Sequence, residues 1–250
     1  MIVDAHAHVT EGEYGSVDLL VTLLGKAKIE KAVVVPGGML DVRKMTGYIT
    51  GKEKPETVEA PNNIVEDAIE KYPDKFYGFV CVDPHKGEEA IDTLENYFHK
   101  GFVGLKLAPL VHQFSFNNKI VLALAERCGE IEFPFYTHVV YNPAASTGKL
   151  GLLVKEFPKT KFILGHMGFG PADEEAIDLA YQYENLFLET SGGSFLIIKE
   201  ALSKVGPTKI IFGSEFPMHH PLAELEKIRL LECKGMEKIL GENILSLIRR

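Results

Sequence analysis

Residues 1–9 read Met-Ile-Val-Asp-Ala-His-Ala-His-Val. Ile2 and Val3 lead into Asp4, His6 and His8, with the small Ala5 and Ala7 between them. A strand sends successive side chains to opposite faces. The spacing therefore predicts that Asp4, His6 and His8 share an inner face, with the alanines turned toward closely packed helices. Two imidazoles two residues apart on a strand can hold one metal ion together, since neutral imidazole suits zinc, manganese, iron and nickel. Asp4, one step deeper, is placed to accept a ring N–H. Taken alone, the same pattern also fits a pair of buried, hydrogen-bonded histidines.

Working outward, seven more short apolar runs follow at residues 32–35, 76–82, 102–107, 134–138, 161–166, 185–190 and 209–214. They are nearly continuous in apolar character, as strands of a parallel sheet covered on both faces are. Between them lie stretches of helical periodicity at 17–28, 64–72, 88–99, 119–128, 173–183 and 222–232, with weaker ones at 150–156 and 196–204. Strand–helix alternation predicts an α/β fold with a parallel sheet. Eight units in 250 residues match a closed (β/α)8 TIM barrel. An open doubly wound sheet is the alternative, but its Gly-rich phosphate loop after the first strand is absent. One barrel domain is expected over 1–250, with 36–62 a long loop after strand two and 236–250 a C-terminal helix. The loop reads equally as a lid over the mouth or as a surface insertion.

Position sharpens the metal reading. His138, His166 and Glu215 stand at the ends of strands five, six and eight, and a parallel barrel opens all such ends on one face. Four histidines and a carboxylate, His6, His8, His138, His166 and Glu215, thus gather at one mouth where a metal ion could be held. Lys106, in strand four, points at the same mouth and can hold an anionic substrate group or pair with a neighbouring acid. His112 and His219 are further candidates for contact with substrate. Glu189 is a lesser one, or a member of a structural ion pair.

Composition excludes several partners. The formal net charge is −8, which disfavours nucleic acid because phosphate binding needs a basic face. No apolar run is long enough to span a membrane, and residues 1–9 do not read as a leader. Three scattered cysteines suit a reducing cytoplasm rather than a disulfide framework. A small-molecule substrate is expected, and the outer helices could support a homodimer.

The chain resembles the amidohydrolase superfamily, in its amidohydrolase-2 or decarboxylase-like branch, over nearly its whole length. The marks are Val3-Asp4-Ala5-His6-Ala7-His8, the segment 71–79 with Val82-Asp83-Pro84, Gly104-Leu105-Lys106-Leu107, Thr137-His138, Gly165-His166-Met167-Gly168, Gly213-Ser214-Glu215-Phe216-Pro217 and the segment 239–244. The resemblance implies one divalent ion, zinc foremost with manganese, iron or nickel as alternatives, on His6, His8 and His138. It places His166 beside the ion, polarising substrate or orienting water. Glu215 stands where the family has aspartate, and Ala108 where many relatives have histidine. The implied reaction is hydrolysis of an amide, ester or lactone by metal-activated water, with Glu215 as acid and base. Decarboxylation of an aromatic or unsaturated acid at the same site is the alternative, and a barrel that binds a ligand without catalysis is another.

Overall fold

A computed structural model describes residues 1–248. Eight parallel strands are hydrogen-bonded in chain order: β1 (Val3–Val9), β2 (Lys31–Pro36), β3 (Phe76–Cys81), β4 (Gly104–Leu107), β5 (Phe135–Thr137), β6 (Phe162–Leu164), β7 (Leu186–Glu189) and β8 (Ile210–Ile211). The main helices are α1 (Val17–Ala27), α2 (Asn62–Lys71), α3 (Glu88–His99), α4 (Lys119–Glu130), α5 (Thr147–Glu156), α6 (Glu174–Gln182), α7 (Phe195–Val205) and α8 (Pro221–Arg229). Five of them start where the side chain of Ser16, Asn118, Ser146, Asp173 or Ser194 accepts a first-turn N–H, which satisfies a donor the helix leaves unpaired.

The ring closes between β1 and the segment after β8. Ala5 N–H donates to Phe212 O at 3.0 Å, Glu215 N–H to His6 O at 2.6 Å and His8 N–H to Phe216 O at 2.7 Å. This crossing explains why β8 is shorter than the run 209–214. From Phe212 onward the chain pairs with β1 rather than β7. The open-sheet alternative is thereby excluded.

Two cores follow from the alternation. Val34, Val80, Leu105, Phe135 and Leu188 face outward onto Leu20, Leu24, Leu94 and Leu124 of the helices. Val33, Val35, Phe79, Tyr136, Ile163 and Ile211 fill the inside. In β1 the alternation breaks, because its register with β2 shifts between Asp4 and Ala7. Ala7 packs in the outer core as expected, but Ala5 joins the inner one. Such a bulge re-aims side chains beside a site, and Asp4 bonds across the seam. Its Oδ1 accepts Ser214 N–H at 2.8 Å and its Oδ2 the Ser214 hydroxyl at 2.5 Å. It fastens the seam instead of meeting an imidazole, which corrects the role expected for it. Burial pushes its carboxyl up to about 7 against the pull of those bonds.

The 36–62 segment holds a 3-10 turn at Val42–Lys44 and a short helix at Met45–Ile49. The C-terminal segment is a π-helical turn, Lys238–Glu242, running into a helix, Asn243–Leu247, packed at the start of β1. Residues 249 and 250 of the expected terminal helix lie outside the described residues.

Candidate metal and substrate site

The C-terminal ends of the strands open into a cavity of about 290 Å³. His8, Lys106, His138, His166 and Glu215 line its polar part, and His6 lies fully buried beneath them. His6 Nε2 and His8 Nε2 are 3.0 Å apart.

The hydrogen bonds behind these rings decide what that approach means. Tyr136 and Ser191 both donate their hydroxyl protons to Glu189 Oε2, each at 2.8 Å. Their oxygens are left to accept from His6 Nδ1, at 2.8 and 3.4 Å. His6 therefore carries its proton on Nδ1. His8 Nδ1 lies 3.1 Å from Pro36 O, a carbonyl that can only accept, so His8 carries its proton on Nδ1 as well. Burial, with the charge of Lys106 behind it, holds His6 well below the usual imidazole range and His8 down to about 3. Two neutral rings thus face each other through bare Nε2 lone pairs with no proton between them. Two acceptors cannot bond each other. Two nitrogens bound to one ion at about 2.1 Å, by contrast, stand roughly 3 Å apart. The donor set fits a divalent cation.

Glu189 is the hub under this pair. Its carboxylate accepts Tyr136 O–H, Ser191 O–H, Ser191 N–H at 2.6 Å and His166 N–H at 3.3 Å. His6, His166 and Glu189 also bring ligand-type atoms within 4.8 Å of one another. That side of His6 is already filled with N–H and O–H protons, however, so the Nε2 side is the better seat for an ion. Packing enforces the arrangement: a Cβ on Gly213 would collide with the Glu189 carboxyl, and one on Gly165 would press on the Tyr136 hydroxyl.

The remaining expected residues fall into three groups. His166 and Glu215 sit at the mouth in left-handed backbone, with φ of 63° and 55°, a conformation costly for non-glycine residues and frequent at functional sites. Glu215 Oε2 lies 3.5 Å from both His166 Nδ1 and His219 Nε2. Burial pushes its carboxyl up to about 7, with His219 pulling the other way. His166, held to about 4 by burial, turns Nδ1 to Ser191 O at 3.3 Å. His138 opens onto the cavity, yet its Nε2 accepts Leu110 N–H at 3.2 Å. That lone pair is engaged with backbone here.

Lys106 is buried with its ammonium 4.0 Å from the Tyr136 ring centroid. Among the described residues it joins no ion pair, and burial lowers it to about 8. His112 and His219 differ from expectation. Neither is among the lining side chains. His112 Nε2 lies 2.8 Å from Val58 O and so tethers the 36–62 segment, while His219 stands behind Glu215.

Tyr136 and Ser191 are participants that the strand reading passes over. A signal for both exists: Tyr136 is two residues before His138, and Ser191 two after Glu189, so each pair shares a face of its strand or strand end.

A closed parallel barrel with imidazole lone pairs gathered at its C-terminal mouth defines a metal-centred barrel enzyme. The family described as amidohydrolase matches residues 3–250, so the chain belongs to that family of enzymes. It is 25% identical over 226 residues to the gamma-resorcylate decarboxylase of Polaromonas sp. (strain JS666 / ATCC BAA-500), covering 66% of this chain and 67% of that one. An uncharacterised TIM-barrel protein from Bordetella bronchiseptica superposes with a TM-score of 0.80 at 18% identity, over 98% of this chain and 97% of that chain. A dihydroxybenzoic acid decarboxylase from Polaromonas sp. JS666, solved with manganese and the inhibitor 2-nitroresorcinol, superposes with a TM-score of 0.72 at 18% identity, over 99% and 96%. Among the described residues no helix is long and apolar enough to cross a membrane.

Proposed function

We propose that the chain is a metal-dependent decarboxylase of an aromatic carboxylic acid, with manganese or a similar divalent ion at His6 and His8. One observation carries this reading beyond the relatives' activity. Glu215 is a half-buried carboxyl at the polar floor of the cavity, 3.5 Å from His166 and His219, and burial pushes it up to about 7. A carboxyl raised by burial can hold a proton and deliver it to carbon. Hydrolysis by metal-activated water, which the sequence puts first, uses the same residues, and the decarboxylase relatives favour the other outcome.

The ion, once bound, supplies fixed positive charge that orients the acid and draws electron density from its oxygens. Lys106 offers its unpaired ammonium to the carboxylate until it departs. The bond from ring carbon to carboxylate breaks, its electron pair stays on the ring carbon, the Glu215 proton is taken up there and carbon dioxide leaves. Each turnover consumes one proton. Glu215 is recharged from solvent through His219, whose side chain is 35% exposed.

The test is carbon dioxide release from hydroxybenzoates by manganese-loaded protein. Glu215→Gln is expected to lower the rate about 100-fold or more while the melting temperature holds. Ester or lactone cleavage without carbon dioxide release would return the reaction to hydrolysis.

A further inference from the structure

The cavity is polar at one end only. Its floor holds the histidines, Glu215 and Lys106, and Lys106 is the one lysine or arginine among the lining residues. Above the floor the wall is apolar. Met45 and Ile49 come from the short helix of the 36–62 segment, and Tyr141 and Phe169 from the loops after β5 and β6. Three of these are large apolar side chains left open to solvent: Ile49 at 58%, Tyr141 at 86% and Phe169 at 37%. The Tyr141 and Phe169 rings stand 6.0 Å apart, as two sides of a lip. A single exposed apolar residue is ordinary, but a group of them around one cavity mouth marks a binding surface.

The charge inventory limits what fits. Lys106, together with the ion proposed at His6 and His8, gathers the positive charge at the floor, so the carboxylate belongs there. A second anionic group higher up would meet no lysine or arginine among the lining residues, and burying an unpaired charge is costly. An apolar extension in the same place would cover side chains that are otherwise wet.

We propose that the substrate is a monoanionic aromatic acid bearing an apolar substituent opposite its carboxylate, the substituent running past Met45 and Ile49 to the lip of Tyr141 and Phe169. This rests on the aromatic-acid reading above and adds to it the substrate subclass and the residues that select it.

Calorimetric titration of manganese-loaded protein with 2-hydroxybenzoate and its 4-methyl, 4-ethyl, 4-propyl and 4-butyl homologues tests it. Each methylene that reaches the wall should tighten binding about three- to fourfold. In the double variant Met45→Asp, Ile49→Asp that gain per methylene should vanish, with circular dichroism and the melting temperature reporting that the barrel is intact. Binding of the parent acid with a flat or falling series overturns this inference and leaves the decarboxylase reading standing. Failure of every member to bind overturns the aromatic-acid reading and this inference with it. A gain per methylene that persists in the double variant removes Met45 and Ile49 as the selecting residues.

Discussion

Tyr136 meets two charged neighbours with two different parts of one ring. Its hydroxyl joins His6 to Glu189, and its face lies under the Lys106 ammonium. Tyr136→Phe keeps the face and removes the hydroxyl. His6 Nδ1 then retains only the long approaches to Ser191 at 3.4 Å and the Glu189 carboxylate at 3.6 Å, and a ligand ring whose outer hydrogen bond is lost binds metal about 10- to 100-fold more weakly. A fall of that size in manganese affinity, measured by titration and accompanied by destabilisation of about 1–3 kcal/mol for the unpaired buried groups, is the expected outcome. Unchanged affinity would show that Ser191 and Glu189 set the His6 tautomer without the Tyr136 hydroxyl. The sequence made His6 and His8 legible because H-x-H on a strand is a local pattern. It marked Glu189 as a lesser candidate but not the hub it forms with Tyr136 and Ser191, because those partners come from β5 and from the end of β7 onward, and a tyrosine in an apolar run reads as core. His138 was read by position and by resemblance, and His112 by position. Which acceptor or donor claims an imidazole, Leu110 N–H for one and Val58 O for the other, depends on loops whose paths a sequence does not fix.

At the scale of elements, the 36–62 segment is a wall of the cavity, and its exit is held by one side chain. Asn62 Nδ2 donates to Cys81 O at 2.8 Å and Asn62 Oδ1 accepts Cys81 N–H at 2.8 Å. The side-chain amide thus pairs with the last residue of β3 as a neighbouring strand would. With the tether from His112 to Val58, this fixes where the segment rejoins the barrel at α2. Asn62→Ala strips both bonds from a buried peptide, at a cost of about 1–3 kcal/mol. Faster amide exchange over residues 41–59 is expected, with KM for the acid rising more than kcat falls, since the wall binds substrate but does not react. Exchange unchanged across that span would mean the segment is held by its apolar contacts instead. Length and glycine content were enough to mark a loop with a role, but not to choose between lid and insertion. That choice rests on Met39, Leu40, Met45 and Ile49 turning toward the cavity, and spacing within so short a helix does not reveal it. The bulge in β1 was hidden likewise. Strict alternation is the default for a strand, and only the crossing of the chain after β8 onto β1 forces the shift that gives Asp4 to Ser214.

For the whole molecule, the architecture was the most legible level, because each strand–helix unit repeats the same apolar run and the same amphipathic period, and eight repeats leave few topologies open. The site is built across the seam that closes this ring, so its ion should report on the stability of the entire barrel. Without a cation the His6 and His8 lone pairs oppose each other at 3.0 Å in a buried place, and a bound ion turns that opposition into shared coordination. A ligand that binds only the folded state stabilises it by about 2.7 kcal/mol at one hundred times its Kd. For a chain of this size each kcal/mol moves Tm by about 2–4 °C. Manganese at that saturation should therefore raise Tm by roughly 5–11 °C, and chelation should reverse it. His8→Ala separates the two parts of the argument. It removes one lone pair along with one ligand, so the metal-free variant should melt no lower than metal-free wild type by more than the loss of ring packing, and manganese should no longer raise its Tm. Differential scanning calorimetry of the four samples measures this directly. An equal manganese shift in wild type and His8→Ala would place the stabilising ion somewhere other than between these two rings.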